Sequence, residues 1–111
     1  MMKSKEIAEC VGLWLAEGDD KTNYEITFTN NEFTLIRLFH NRINKLFSQH
    51  NFNIRLYVYT PNGEEVSIPL KVGKINRYVD RRANKPYFIW RLASVVINKE
   101  WKTVVESYKN N

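Results

Sequence analysis

The sequence has a single cysteine, Cys10, so no disulfide can close within the chain. Cys10 lies in an apolar stretch and is expected to be buried as a small hydrophobe. Glycine and proline are sparse as well, at 4 and 3 of 111 residues. Pro61, Pro69 and Pro86 are scattered, and there is no Gly-rich phosphate loop, low-complexity linker or internal repeat. A single domain over residues 1–111 is expected. No Cys/His spacing suits a metal site, and His40 and His50 read as surface or packing residues. Ser94 has no nearby His or Asp pattern that would make it a nucleophile. No apolar run approaches the ~20 residues that span a bilayer. Met1 to Glu9 lack the apolar centre of a signal peptide, so a cytoplasmic protein with no membrane partner is expected.

Charge is present but unevenly placed. The net charge is +5. Residues 1–50 hold 6 Lys/Arg against 7 Asp/Glu, a net of −1, whereas residues 51–111 hold 11 against 5, a net of +6. In the second half Lys71, Lys74, Arg77, Arg81, Arg82, Lys85 and Arg91 are opposed only by Asp80. Such a stripe suits a phosphate backbone, although charge alone does not separate binding from a solvated surface.

Hydrophobic periodicity gives the elements. Ser4 is a candidate cap for a helix over Lys5 to Glu17, with Gly18 as its left-handed stop and a polar turn over Asp19 to Asn23. Tyr24 to Phe28 alternates as the one clear strand before a second helix, which starts after Asn30 or Asn31 and runs to about Gln49. Ile54 to Tyr59 alternates as a strand that places Tyr57 and Tyr59 on the face of Arg55. Pro61-Asn62-Gly63 then signals a turn, and Val66, Ile68 and Leu70 alternate again, which predicts a hairpin. Lys74 to Tyr78 is a candidate short strand, Tyr87 to Leu92 a firm one. Val95 to Tyr108 is the last helix, with Val96, Trp101, Val104, Val105 and Tyr108 as its apolar side. Trp90, Trp101, Phe39 and Phe47 are expected in the core. Base stacking on Tyr57 or Tyr87 stays open. The class is α+β, with helices on one face of a mainly antiparallel sheet.

The first helix is apolar around most of its circumference, more than a surface helix needs. Ala8, Gly12 and Ala16, spaced by four, form a stripe of small residues that lets another helix approach closely. That helix belongs either to the same chain or to a second copy. Glu17, Asp19 and Asp20 cluster where the helix macrodipole is already negative, which costs roughly 0.3–1 kcal/mol per exposed charge. A divalent cation would reverse that sign, and carboxylate oxygens suit Mg²⁺ (or Mn²⁺). A simple polar turn accounts for Asp19 and Asp20 equally, but less readily for Glu17.

The segment Cys10-Val11-Gly12-Leu13-Trp14-Leu15-Ala16-Glu17-Gly18 resembles the LAGLIDADG motif of homing endonucleases. Gly12, Leu13, Ala16 and Gly18 match its Gly, Leu, Ala and Gly positions, and Glu17 matches its last acidic position. Leu15 stands at the first acidic position. Ile26 to Asn30, leading into Phe33 to Ile36, resembles the family's strand-to-helix passage. The resemblance implies a LAGLIDADG-like domain with a curved sheet, acting as a homodimeric, site-specific endonuclease on double-stranded DNA. It implies motif helices paired through Ala8, Gly12 and Ala16, and Mg²⁺ or Mn²⁺ held by Glu17 with Asp19. Trp14 is too bulky for that helix pair and is expected in its own core. Lys74 and Arg77 are candidates for steadying phosphate charge. Arg55, Tyr57, Lys71, Lys74, Arg77, Arg81, Arg82, Lys85 and Arg91 are candidates for DNA contact. A non-catalytic DNA-binding protein or regulator on the same fold is the alternative, and a binder of structured RNA a third.

Overall fold

The computed structural model describes residues 4–19 and 24–110, with the side chains of residues 17–19 left out. The described elements are α1 (Ser4–Glu17), β1 (Gly18–Asp19), β2 (Glu25–Asn30), α2 (Phe33–Leu46), β3 (Ile54–Thr60), β4 (Lys74–Val79), β5 (Tyr87–Ala93) and α3 (Val95–Lys109). The five strands form one sheet in the order β1-β2-β5-β3-β4. The expected α+β class holds, as a mixed sheet: β1–β2, β2–β5 and β5–β3 are antiparallel, and β3–β4 is parallel.

Each strand alternates, so each buries one side. Ile26 and Phe28 of β2, Phe88, Trp90 and Leu92 of β5, and Ile54, Leu56 and Val58 of β3 all point to one layer and are buried. The helices close that layer. α1 gives it Cys10, Val11 and Trp14, α2 gives it Ile36, Phe39 and Ile43, and α3 gives it Ile97, Trp101 and Val105. Fully burying an aliphatic or Phe side chain stabilises the fold by roughly 1.5–3 kcal/mol, so this shared layer dominates stability. The aromatic pairs lock its geometry: Phe28 stacks on Phe39 at 4.5 Å, and Trp14 meets Trp101 edge-on at 5.7 Å. Trp14 thus lies in its own core, as its bulk requires. Burial pushes the Cys10 thiol up to about 12, so it stays protonated and acts as packing.

Several boundaries differ from the sequence reading. Gly18 begins β1 paired with Phe28, and Asp19 still pairs with Thr27, so two strands lie between α1 and α2 where one was expected. The rest of the expected turn, residues 20–23, lies outside the described residues. Ser4 is the first residue of α1 itself. Neither Asn30 nor Asn31 caps α2. Glu32 occupies that position without a side-chain cap, and the Asn30 Oδ1 accepts from Glu32 N–H at 2.8 Å. α2 stops at Leu46, short of Gln49. α3 is capped by Ser94, whose Oγ accepts from Ile97 N–H at 3.2 Å. Its buried side runs through Ile97, Asn98, Trp101 and Val105. Val96 falls off that face and is exposed, and Tyr108 is exposed in the final turn.

The expected hairpin does not form. The turn is real: Gly63 takes φ 78°, and its N–H donates to Thr60 Oγ1 at 3.0 Å. The chain then runs back without pairing as a strand, and Gly73 N–H ties its end to Ile54 O at 2.9 Å. Val66, Ile68, Leu70 and Val72 pack against the core from this connection. Their alternation reflects a segment with one side on the core, where a parallel crossover commonly places a helix. The helices pack mainly over β2 and β5, so this segment supplies cover toward β3 and β4. Among the described residues, no helix is long and apolar enough to cross a membrane.

Candidate nucleic-acid interface

Among the described residues, no helix covers the sheet's second face. Strand register arranges its side chains in rows, because direct cross-strand partners share a face. Thr27, Arg91, Arg55 and Lys74 are successive partners across β2, β5, β3 and β4, and the row starts from the Asp19 backbone in β1. The next row on this face is Thr29, Ile89, Tyr57 and Asn76. The third is Tyr87, Tyr59 and Tyr78. Arg55 therefore does share its face with Tyr57 and Tyr59, and the structure adds Arg91 and Lys74 from strands distant in sequence.

The aromatic geometry decides what this face offers. Tyr87 stacks on Tyr59 at 4.8 Å and 6° between planes, and Tyr59 stacks on Tyr78 at 5.2 Å and 24°. The Arg91 guanidinium lies 4.9 Å over the Tyr57 ring. Tyr59 is thus stacked on both sides, and Tyr57 lies between Arg91 and Tyr78. Side chains stand roughly perpendicular to a sheet, so ring edges and hydroxyls project outward. Such a surface hydrogen-bonds to groove edges and phosphates better than it stacks on unpaired bases. Arg91 Nε is buried with no hydrogen-bond partner among the described residues. A buried, unpaired guanidinium N–H is costly and favours an anionic acceptor.

A basic loop borders the tyrosine row. Residues 80–86 join β4 to β5, and Asp80 organises them. Asp80 Oδ2 accepts from the Tyr87 hydroxyl at 2.9 Å, and its Oδ1 accepts from Arg82 N–H at 3.1 Å. The Tyr87 hydrogen bond first, then the Arg82 backbone N–H, holds the Asp80 carboxyl below the usual carboxylate range. Burial first, and then Asp80, pushes the Tyr87 phenol up. Arg81, Arg82 and Lys85 are exposed on this loop. Together with Thr29, Asn31 and Tyr87, the loop lines a shallow groove at the sheet's end.

The basic candidates therefore separate. Arg55, Arg91 and Lys74 share the open face. Arg77 does not: it pairs with Val58, on the helix side, and its Nη1 donates to Val66 O at 2.9 Å. Three residues apart on one strand, Lys74 and Arg77 project to opposite faces. Lys71 is exposed in the connection before β4. α1 runs directly into β1, which places the Glu17 backbone at one edge of the sheet. β4 is the opposite edge, four inter-strand steps or roughly 19 Å away. Lys74 and Arg77 are thus not brought to Glu17 of the same chain. Arg91 is two steps from β1, roughly 10 Å. The Glu17 and Asp19 side chains lie outside the described set, and among the described residues no three His, Cys, Asp or Glu cluster.

The small-residue stripe faces away from the core. Cys10, Val11 and Trp14 are the buried side of α1, and Gly12 lies opposite. A methyl group added at Gly12 would meet nothing within 4 Å among the described residues. Ala16 and Leu15 are exposed, and Ala8 is half-buried. Among the described residues, no helix packs closely on the stripe at Gly12. Glu6 and Glu9 instead tie α1 to α2 through Arg42, at 2.9 and 3.4 Å.

Sequence reasoning missed Tyr78, Asn76, Ile89 and Thr29 as members of one surface. Alternation in β5 would have placed Tyr87, Ile89 and Arg91 together, but Tyr78 and Asn76 join them through a parallel pairing that leaves no local signal. No protein-family model matches the chain, and no curated protein or solved structure matches it either.

Proposed function

We propose that the chain is a homodimeric, metal-dependent endonuclease of the LAGLIDADG type, acting on double-stranded DNA. The observation that carries this reading is the helix-free sheet face, whose basic row runs from Lys74 through Arg55 and Arg91 toward the strand fed by α1. Cations at strand positions suit phosphate contact, and the uncharged rows beside them suit groove edges. The outward stripe of Ala8, Gly12 and Ala16 supports pairing of two α1 helices, which would bring the two β1 edges, and both Glu17 positions, toward one axis.

The carboxylates of Glu17 and Asp19 are hard oxygen donors at the α1–β1 junction, a donor set that fits Mg²⁺ or Mn²⁺. When bound, such a cation supplies an activated water and stabilises the leaving oxygen. The chain's own part is to hold the DNA and balance charge. Arg91 takes the role first expected of Lys74 or Arg77, because it is the cation of the basic row nearest β1 and its Nε–H has no acceptor among the described residues. Lys74 and Arg55 hold the phosphate backbone farther out, and Arg81, Arg82 and Lys85 extend that hold beyond the tyrosine row.

Nicking of supercoiled plasmid at low salt with Mn²⁺ tests the reading. Wild type should nick, and Glu17→Gln should lose nicking while still binding duplex. Binding without nicking by the wild type would instead support the non-catalytic DNA-binding reading.

A further inference from the structure

The open face is divided by charge. One border is the row Arg91, Arg55 and Lys74. The other is the loop carrying Arg81, Arg82 and Lys85, beyond Tyr87 and Tyr59. The two rows between them hold Thr29, Ile89, Tyr57 and Asn76, then Tyr87, Tyr59 and Tyr78, with no ionised side chain. The major groove of B-DNA is bordered by two phosphate strands.

With the sheet taken to lie in the major groove, as the LAGLIDADG reading implies, we infer that the bases beneath the uncharged strip are predominantly A·T pairs. The inference rests on the duplex-DNA reading above and adds the class of sequence recognised. Guanine is read chiefly by Arg or Lys donating to O6 and N7, and the strip has neither. Cytosine N4 calls for an acceptor such as Asp or Glu, and the strip has none of those. Adenine N6 and N7 suit an amide, which Asn76 provides at the strip's outer end. The thymine methyl suits apolar contact, which half-buried Ile89 and the outward edges of the tyrosine rings provide. The stacked rings cannot easily re-orient, so the strip is a fixed template rather than an adaptable one.

The test is selection from a randomised duplex pool by the full chain, followed by anisotropy titration of the enriched duplex with thymine replaced by uracil. The expected result is enrichment of A·T pairs in a block within each half-site. Replacing thymine should weaken binding by about fourfold for each methyl that the strip covers. Ile89→Val, a one-methyl truncation that preserves the strand, should shrink that uracil penalty, whereas Lys74→Ala should weaken all duplexes alike. Enrichment of G·C pairs, or tight binding with no base preference and no uracil penalty, would overturn the inference and leave duplex binding standing. Absence of binding to every duplex at low salt would overturn the duplex reading, and this inference with it.

Discussion

Trp90 donates its indole Nε1–H to His40 Nδ1 at 3.0 Å, joining the centre of β5 to α2 inside the core. The bond requires an unprotonated Nδ1. Burial holds the His40 pKa below its ordinary value of 6.5. The unfolded chain therefore binds a proton that the folded chain resists. Stability contributed by neutral His40 is fully present above pH 6.5 and is lost as pH falls from there through the lowered folded value. Urea unfolding midpoints should be flat above that point and decline below it, before the carboxylates titrate. In His40→Leu the decline should vanish. The same variant should be less stable at neutral pH by roughly 1–3 kcal/mol, since it orphans the Trp90 N–H.

Gly12 separates folding from association. Because an added methyl meets nothing within 4 Å among the described residues, Gly12→Ala should stabilise the monomer by roughly 0.5–1 kcal/mol. Gly12→Leu should leave the circular dichroism spectrum unchanged yet prevent two α1 helices from approaching. Sedimentation should then show a dimer for wild type and a monomer for Gly12→Leu. A wild type that is monomeric at high micromolar concentration would remove the paired-helix arrangement.

Arg91 and Lys74 share a row but should fail differently. Arg91→Met keeps an aliphatic stem beside Tyr57 and removes the charge. It should lower nicking by about 10²-fold while changing duplex affinity far less, the pattern of a group acting on developing charge. Lys74→Ala, on the far edge strand, should weaken affinity and spare the nicking rate at saturation. Parallel titrations of binding and plasmid nicking distinguish the two. Equal losses in both variants would place Arg91 among simple phosphate contacts.

Much of the architecture was legible because its signals are local. The alternation of Ile26 with Phe28, and of Phe88, Trp90 and Leu92, marks half-buried strands. The region after β3 was misread for a physical reason. Val66, Ile68 and Leu70 alternate because one side of an unpaired segment covers the core, and a period of two does not distinguish that from a strand. The parallel β3–β4 pairing has no hairpin signature at all. The interface was half legible: the basic excess and the Tyr57–Tyr59 alternation were visible, but the row uniting Arg91, Arg55 and Lys74 exists only through long-range register. The opposite placement of Lys74 and Arg77 follows from strand parity once β4 is known.

Duplex binding across a salt series tests the helix-free face most directly. Wild type should be compared with the combined Arg55→Gln, Arg91→Gln and Lys74→Gln variant, folded by circular dichroism, on one labelled duplex. The variant should bind more weakly, with a log affinity against log salt slope shallower by about 2.7, since each phosphate contact contributes about 0.9. Unchanged affinity and slope would contradict the account, and would mean that the row from β5 to β4 does not face DNA.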